Sequence, residues 1–269
     1  MNVENIVKVM NFHALLRVNE ARNRVEQAHN YEKEIKYMIS NIVTNRIFKQ
    51  ENISLDLPTD APELNIYMGS DMGFCASFNS DVLSYLKEDK PENHKIIIGR
   101  RIVYDTPNVI FKISKDEFTK NFGLVYNKIL SGIFQKLYSK INIIYVHYYN
   151  LSKQKIIKRT LLPFDYELDD LDRDEAVTFR NDEDYVVEGD LQLIIWDLIS
   201  FYIITEVRVA EAWSWASENV QRQSFTNESL HKIEDRNEEK LRNKRKEKRT
   251  KEFKTIIEIN NKKIKNEEE

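Results

Sequence analysis

Two long stretches without glycine or proline, residues 1 to about 50 and 190 to 265, frame this 269-residue chain. In the first, Val3, Val7, Met10, Ala14, Val18, Ala21, Val25, Ala28, Ile35, Ile39 and Ile42 recur in steps of mostly four and three. Glu32 is the one polar gap. This is the seam of a coiled coil, on a helix roughly 75 Å long at 1.5 Å per residue. In the second stretch the same alternation runs through Leu191, Ile195, Leu198, Tyr202, Thr205, Val209, Ala212, Ala216, Asn219, Gln223, Thr226, Leu230, Ile233 and Asn237. The implied helix is on the order of 110 Å long. Neither helix can bury its seam alone, and the most economical solution pairs them antiparallel. Charged residues reach 32% against 41% apolar ones. That surplus suits long solvated helices better than a sphere.

Between the helices the rhythm changes. Residues 51–64 carry two prolines, and all six glycines lie between Gly69 and Gly189. LNIYMGS, HKIIIG and NVIFKI read as short strands, SDVLSYLKE and DEFTKNFGLVYNKILSGIFQKLYSK as helices, and INIIYVHYYN and KIIKRTLLPF as two more strands. The alternation predicts an α/β domain with a largely parallel, Rossmann-like sheet. The expected organisation is a coiled-coil helix over 1–50, an α/β domain over 51–190 with an acidic loop at 165–190, and a C-terminal helix with a charged tail over 191–269.

Site chemistry is sparse. Cys75 is the only cysteine, which excludes an internal disulfide and fits a reducing compartment. His13, His29, His94, His147 and His231 have no metal-ligand spacing. The start lacks a signal-peptide pattern, and LQLIIWDLISFYIITEV is interrupted by Asp197 and followed by Arg208. A cytoplasmic chain without a membrane span is expected. MGSDMGFCASFNSD, residues 68–81, has turn glycines after a strand but neither the Gly-Lys-Ser/Thr of a P-loop nor GxGxxG spacing. Cys75 has no base at a suggestive distance and reads as a buried, inert thiol. DYELDDLDRDE lacks the glycine a calcium loop needs. No nucleophile–base or paired-carboxylate arrangement can be assembled, so neither an enzyme nor a cofactor is expected. EDRNEEKLRNKRKEKRTKE, residues 234–252, admits three readings. It is a solvated helix with pairs such as Glu238–Arg242 and Glu247–Lys251, a nucleic-acid patch using nine cations within 240–254, or a rod in a charged sleeve of partner proteins. Nucleic acid is disfavoured, because no aromatic residues interleave with the cations and the net charge is -3.

The residues also resemble a family. Ser70-Asp71-Met72-Gly73-Phe74-Cys75-Ala76-Ser77-Phe78-Asn79-Ser80 is similar to the S-D-R-G-L-C-G-G-F-N-S motif of the gamma subunits of F-type ATP synthases. Val9 to Arg17 resembles a worn form of their A-M-x-M-V-A-A-x-K-L-R. Tyr148-Tyr149-Asn150, Leu161-Leu162-Pro163 and Ser217-Glu218 with Arg222 match further motifs in order. Arg245, Thr250, Glu252 and Phe253 echo the closing signature. The resemblance spans essentially the whole chain. It implies a central shaft turning in an alpha3beta3-type hexamer, with Met10, Arg222, Arg245, Lys246, Thr250 and Glu252 facing the hexamer. It also implies that Ser70, Asp71, Phe74, Cys75 and Phe78 carry an epsilon-type stalk subunit, with a membrane rotor ring or other driven machinery beyond.

The departures are specific. Relative to the family the first helix is expected to start about a dozen residues late. Met72 replaces an arginine, Ala76-Ser77 a glycine pair, and Lys246 a glutamine. The C-terminus continues as IIEINNKKIKNEEE where the family has a short apolar-bearing tip. These changes point to a specialised paralogue, such as the F1-like ATPases of wall-less bacteria, one of which serves gliding. The rival readings are a coiled-coil scaffold and a nucleic-acid binder using 240–254.

Overall fold

The computed structural model describes residues 3–44, 57–150, 153–163 and 189–267. The acidic loop expected at 165–190 lies almost wholly outside these. The elements are α1 (Val3–Thr44), β1 (Leu64–Met68), α2 (Phe78–Lys87), β2 (His94–Ile98), β3 (Val109–Ile113), α3 (Lys115–Lys120), α4 (Phe122–Phe134), β4 (Ile141–Tyr148), β5 (Gln154–Leu162) and α5 (Leu191–Glu267).

One five-stranded sheet runs β3-β2-β1-β4-β5, with the first four strands parallel and β5 antiparallel at the edge. Successive side chains of a strand face opposite sides. Ile66 and Met68 therefore join Ile96, Ile98, Ile141 and Ile143 on the face covered by α4 and α5. Tyr67, Ile97, Ile144 and Val146 form the other core with Phe78, Val82 and Leu86 of α2. Lys95 points into the protein too; its Nζ donates to the Lys90 and Asn93 carbonyls at 2.8 Å and pairs with Asp89 at 3.3 Å.

The single helix expected over DEFTKNFGLVYNKILSGIFQKLYSK is instead two. Asn121, at φ -124° and ψ 49°, ends α3 and opens α4. The chain turns again at Lys136, φ 52°, so that Tyr138 lies against Gly132, where a Cβ would collide with its ring. Tertiary packing overrides helix propensity here.

The terminal helices pair antiparallel, as their seams require. Glu4 meets Asn237, Asn11 meets Asn227, and the Arg24 guanidinium lies over the Trp215 ring at 4.5 Å, so one numbering rises as the other falls. The seam mixes alanines with valines: Ala14, Ala21, Ala212, Ala216, Val18 and Val209 are each at most 4% exposed. Small seam side chains let the backbones approach closely. From Ile199 to Val220 α5 is buried on more than one side, because it serves both the sheet and α1. Past Asn237 it continues thirty residues to Glu267, about 45 Å at 1.5 Å per residue. Its side chains there are exposed from residue 234 to 257. No described helix is long and apolar enough to cross a membrane.

After β1 the chain holds Phe74 at φ 61° and Ala76 at φ 46°. A Cβ in this left-handed region crowds the following carbonyl oxygen, a cost glycine avoids. Ala76→Gly is expected to stabilise the fold by about 0.5–1 kcal/mol, read as a higher urea midpoint with an unchanged m-value. An unchanged or lower midpoint contradicts the strain.

Candidate functional site at the neck and on the free helix

The loop after β1 is a lock between head and shaft. The Asp71 carboxylate accepts the backbone N–H groups of Arg100 and Lys115 at 2.9 Å and of Asp116 at 3.1 Å. Burial pushes its pKa up, but these donors and the Arg100 guanidinium outweigh that and hold it below the usual carboxylate range. Ser70, Cys75 and Asn79 close on one another: Asn79 Nδ2 donates to Ser70 Oγ at 2.8 Å and to Cys75 Sγ at 3.2 Å. Burial raises the Cys75 pKa, which keeps the thiol unreactive.

Arg222 of α5 donates to the Gly73 carbonyl at 3.3 Å, to Asn219 at 3.2 Å and to Glu218 at 2.5 Å. Lys115 reaches the other oxygen of Glu218 at 2.8 Å. Burial raises the Glu218 pKa, and these two cations reverse the shift. Ser217 adds a hydrogen bond to the Val146 carbonyl at 3.0 Å.

These positions revise the expected contacts. Arg222, expected to face the hexamer, is 3% exposed here and occupied within the chain as a head-to-shaft tie. Ser70, Cys75 and Phe78 are likewise buried by the chain itself. The turn around Ser70 folds Ser70 and Cys75 inward, and Phe78 packs from α2 into the core. Asp71 is spent on helix capping. Phe74 alone of that set is largely exposed, at 53%, with its ring 6.2 Å from Phe225. Met10 is half-buried in the helix pair, while Arg245, Lys246, Thr250 and Glu252 are exposed on the free end of α5.

A second tie lies lower on the neck, and sequence reasoning missed it. Arg159 of β5 pairs with Glu32 of α1 at 2.5 Å and with Glu206 of α5 at 3.0 Å. Lys36 also reaches Glu32 at 2.8 Å, and His29 lies 3.5 Å from it. Three elements thus meet on one guanidinium. The available signal was the polar gap at Glu32 in an otherwise apolar seam. The two acids diverge: hydrogen bonds and cations overcome burial and hold Glu32 low, whereas burial and then the Glu32 charge push Glu206 up to about 7. Nearby, His147 stacks on Trp213 with ring centroids 4.0 Å apart, and burial pushes it down to about 4, so it is neutral.

The described molecule is thus a head and a shaft, with two long helices clamped to a mixed sheet. The family model described as ATP synthase matches residues 1–260, and the chain belongs to that family. The ATP synthase gamma chain of Clostridium botulinum is 25% identical over 177 residues, 62% of each chain. That of Clostridium novyi is 23% identical over 205 residues, 72% of each. The chain thus spans about three fifths of the Clostridium botulinum relative it matches. Among solved structures, a chain of the central stalk and c-ring of the Tetrahymena thermophila mitochondrial ATP synthase is similar, with a TM-score of 0.59 and 18% identity. That match covers 83% of this chain and 99% of the other, and it shows a shared fold.

Two outcomes test the neck. Arg222→Ala leaves Glu218 buried with one cation instead of two, and is expected to lower unfolding stability by about 3–5 kcal/mol, measured by chemical denaturation. Glu206 binds more protons folded than unfolded between about pH 4.5 and about 7, so its contribution falls as pH rises through that window. E206Q is therefore expected to match the native chain near the acid end and to exceed its stability above the window by on the order of 2–3 kcal/mol. Parallel pH–stability curves for the two proteins contradict the assignment.

Proposed function

We propose that this chain is the central shaft of an F1-type or F1-like rotary ATPase and carries no active site of its own. The paired helices enter an alpha3beta3-type hexamer whose subunits bind and hydrolyse ATP. The observation that carries the reading is the free end of α5: its described side chains past Asn237 stay exposed to Ile257, about 30 Å of helix, continuous with a helix clamped to the head at two buried ionic ties. A helix left without a partner over that length needs one from outside the chain.

The shaft couples the catalytic subunits because it is asymmetric and stiff. Each orientation favours a different conformation in each subunit it touches, which is a population shift driven by a rigid element. Stiffness follows from the close-packed alanine seam and from the absence of glycine and proline kink points in α1 and α5. Arg245, Lys246, Thr250 and Glu252 face the hexamer, and Met10 lies on the same shaft. Exposed ion pairs worth about 0–1 kcal/mol form and release readily, which suits contacts remade on every turn. The head, with Phe74 on its surface, carries an epsilon-type small stalk subunit and the link to a membrane rotor ring or other driven machinery. The complex is peripheral to a membrane through that link.

Affinity capture of the full tagged chain from native lysate is expected to recover two paralogous P-loop ATPase subunits in molar excess over it, with ATP hydrolysis in the eluate. Recovery of the chain with copies of itself alone sinks the reading and favours a scaffold.

A further inference from the structure

The two ties of the neck balance their charges differently. At the upper one a single carboxylate has two cations: Arg222 takes one oxygen of Glu218 at 2.5 Å and Lys115 the other at 2.8 Å. At the lower one two carboxyl groups share a guanidinium. Arg159 gives Nη2 to Glu32 at 2.5 Å and Nη1 to Glu206 Oε2 at 3.0 Å, while Lys36 pairs with Glu32 at 2.8 Å. Glu206 is left with the shared guanidinium as its one ion-pair partner among the described residues. Its Oε1 has no hydrogen-bond partner there, and the residue is 1% exposed.

The remaining groups that face it bring no further cation into contact. Tyr202 lies one turn earlier on α5 and Tyr145 on β4, and burial holds both phenols well above their ordinary range, so they stay neutral. On α1, Glu32 adds a like charge and Lys36 a more distant opposite one, with His29 beyond Glu32 at 3.5 Å from it. His147 of β4 is neutral against the Trp213 ring. A buried carboxylate short of a cation is stabilised by a proton instead.

We propose that the lower tie is a proton-gated joint: a proton on Glu206 holds α5 closed against β5 and α1, and its loss makes local opening of the joint easier. The step is a plain protonation. The proton comes from water and sits on the free Oε1, while Oε2 stays on Arg159, whose one ionised partner is then Glu32. When the joint opens, Glu206 reaches water and gives the proton back. Burial and the Glu32 charge both favour the protonated form when the joint is closed, so acid tightens the joint and alkali loosens it. The upper tie, with two cations on its one acid, has no such step. The device resides within one chain and needs no hexamer to act.

Hydrogen exchange of the full chain reads local opening at each tie separately. After correction for the intrinsic pH dependence of exchange, amides of β5 around Arg159 and of α5 around Glu206 are expected to lose about tenfold or more in protection between about pH 5.5 and about pH 7.5. Amides around Arg222 are expected to change far less. E206Q, neutral at every pH, is expected to abolish the change at the lower tie. E32Q removes a charge that favours the proton and is expected to move the change to lower pH. Carbon-13 NMR of the glutamate carboxyls supplies a readout independent of opening, with one resonance titrating near neutrality in the native chain and missing from E206Q. Protection that falls equally at both ties, or a change retained in E206Q, overturns the joint. A change retained in E206Q but lost in H29Q overturns it as well, by moving the proton to the histidine.

Discussion

Three carboxyl groups lie buried where the helices meet the sheet, each against a cation, and two of them, Glu32 and Glu218, keep their charge there because of it. Glu32, Glu206 and Glu218 are each at most 5% exposed. An unpaired carboxylate in such a place costs several kcal/mol of lost hydration. Arg159 answers the first two, and Lys115 with Arg222 the third. The pairs join elements that the chain order keeps apart: α1 to β5, β5 to α5, and α3 to α5. An alanine seam alone offers little preference between one register and the next. Sliding α1 by a turn would strip Glu32 from Arg159, leaving Glu32 only Lys36 and His29 of its own helix and Arg159 only Glu206, so the ionic ties favour the register that the seam permits.

This arrangement also divides labour along α5. Its first part is buried on several sides, its middle pairs with α1, and its described side chains from Glu238 to Ile257 are exposed. Isolated helices shorter than about 12–15 residues are marginal in water because nucleation is costly. Here the nucleus is supplied by the packed part, and each further residue only extends an existing helix. The free end is thereby kept helical without a local partner.

Much of this was legible in the sequence. The two seams gave the helix pair and its direction, and the apolar alternation gave all five strands, because both signals are local and periodic. The neck was not legible in the same way. Glu32 showed only as a gap in a seam, since its partner Arg159 is 127 residues away. Arg222 and the Ser70 turn were expected at partner surfaces by resemblance, yet the fold turns them inward, because burial depends on which elements meet and not on any one motif. The break at Asn121 was hidden for a related reason. FGLVYNKILSGIF and its flanks read as good helix throughout, and the fold back of Tyr138 onto Gly132 comes from packing.

The neck and the free end of α5 treat charge in opposite ways, and the contrast says what each is for. At the neck a few charges are buried, each fixed by named partners at 2.5–3.3 Å, so the geometry has one solution. On the free end many charges, mostly of one sign, stay in water and are spread around the helix. Buried, paired charge suits a joint that must not slip, and exposed, unpaired charge suits a surface that must keep moving. Repulsion among the nine cations also works against coiling of the free end on itself or pairing with a second copy. The same cations that keep this end in water therefore also keep it extended and apart from other copies.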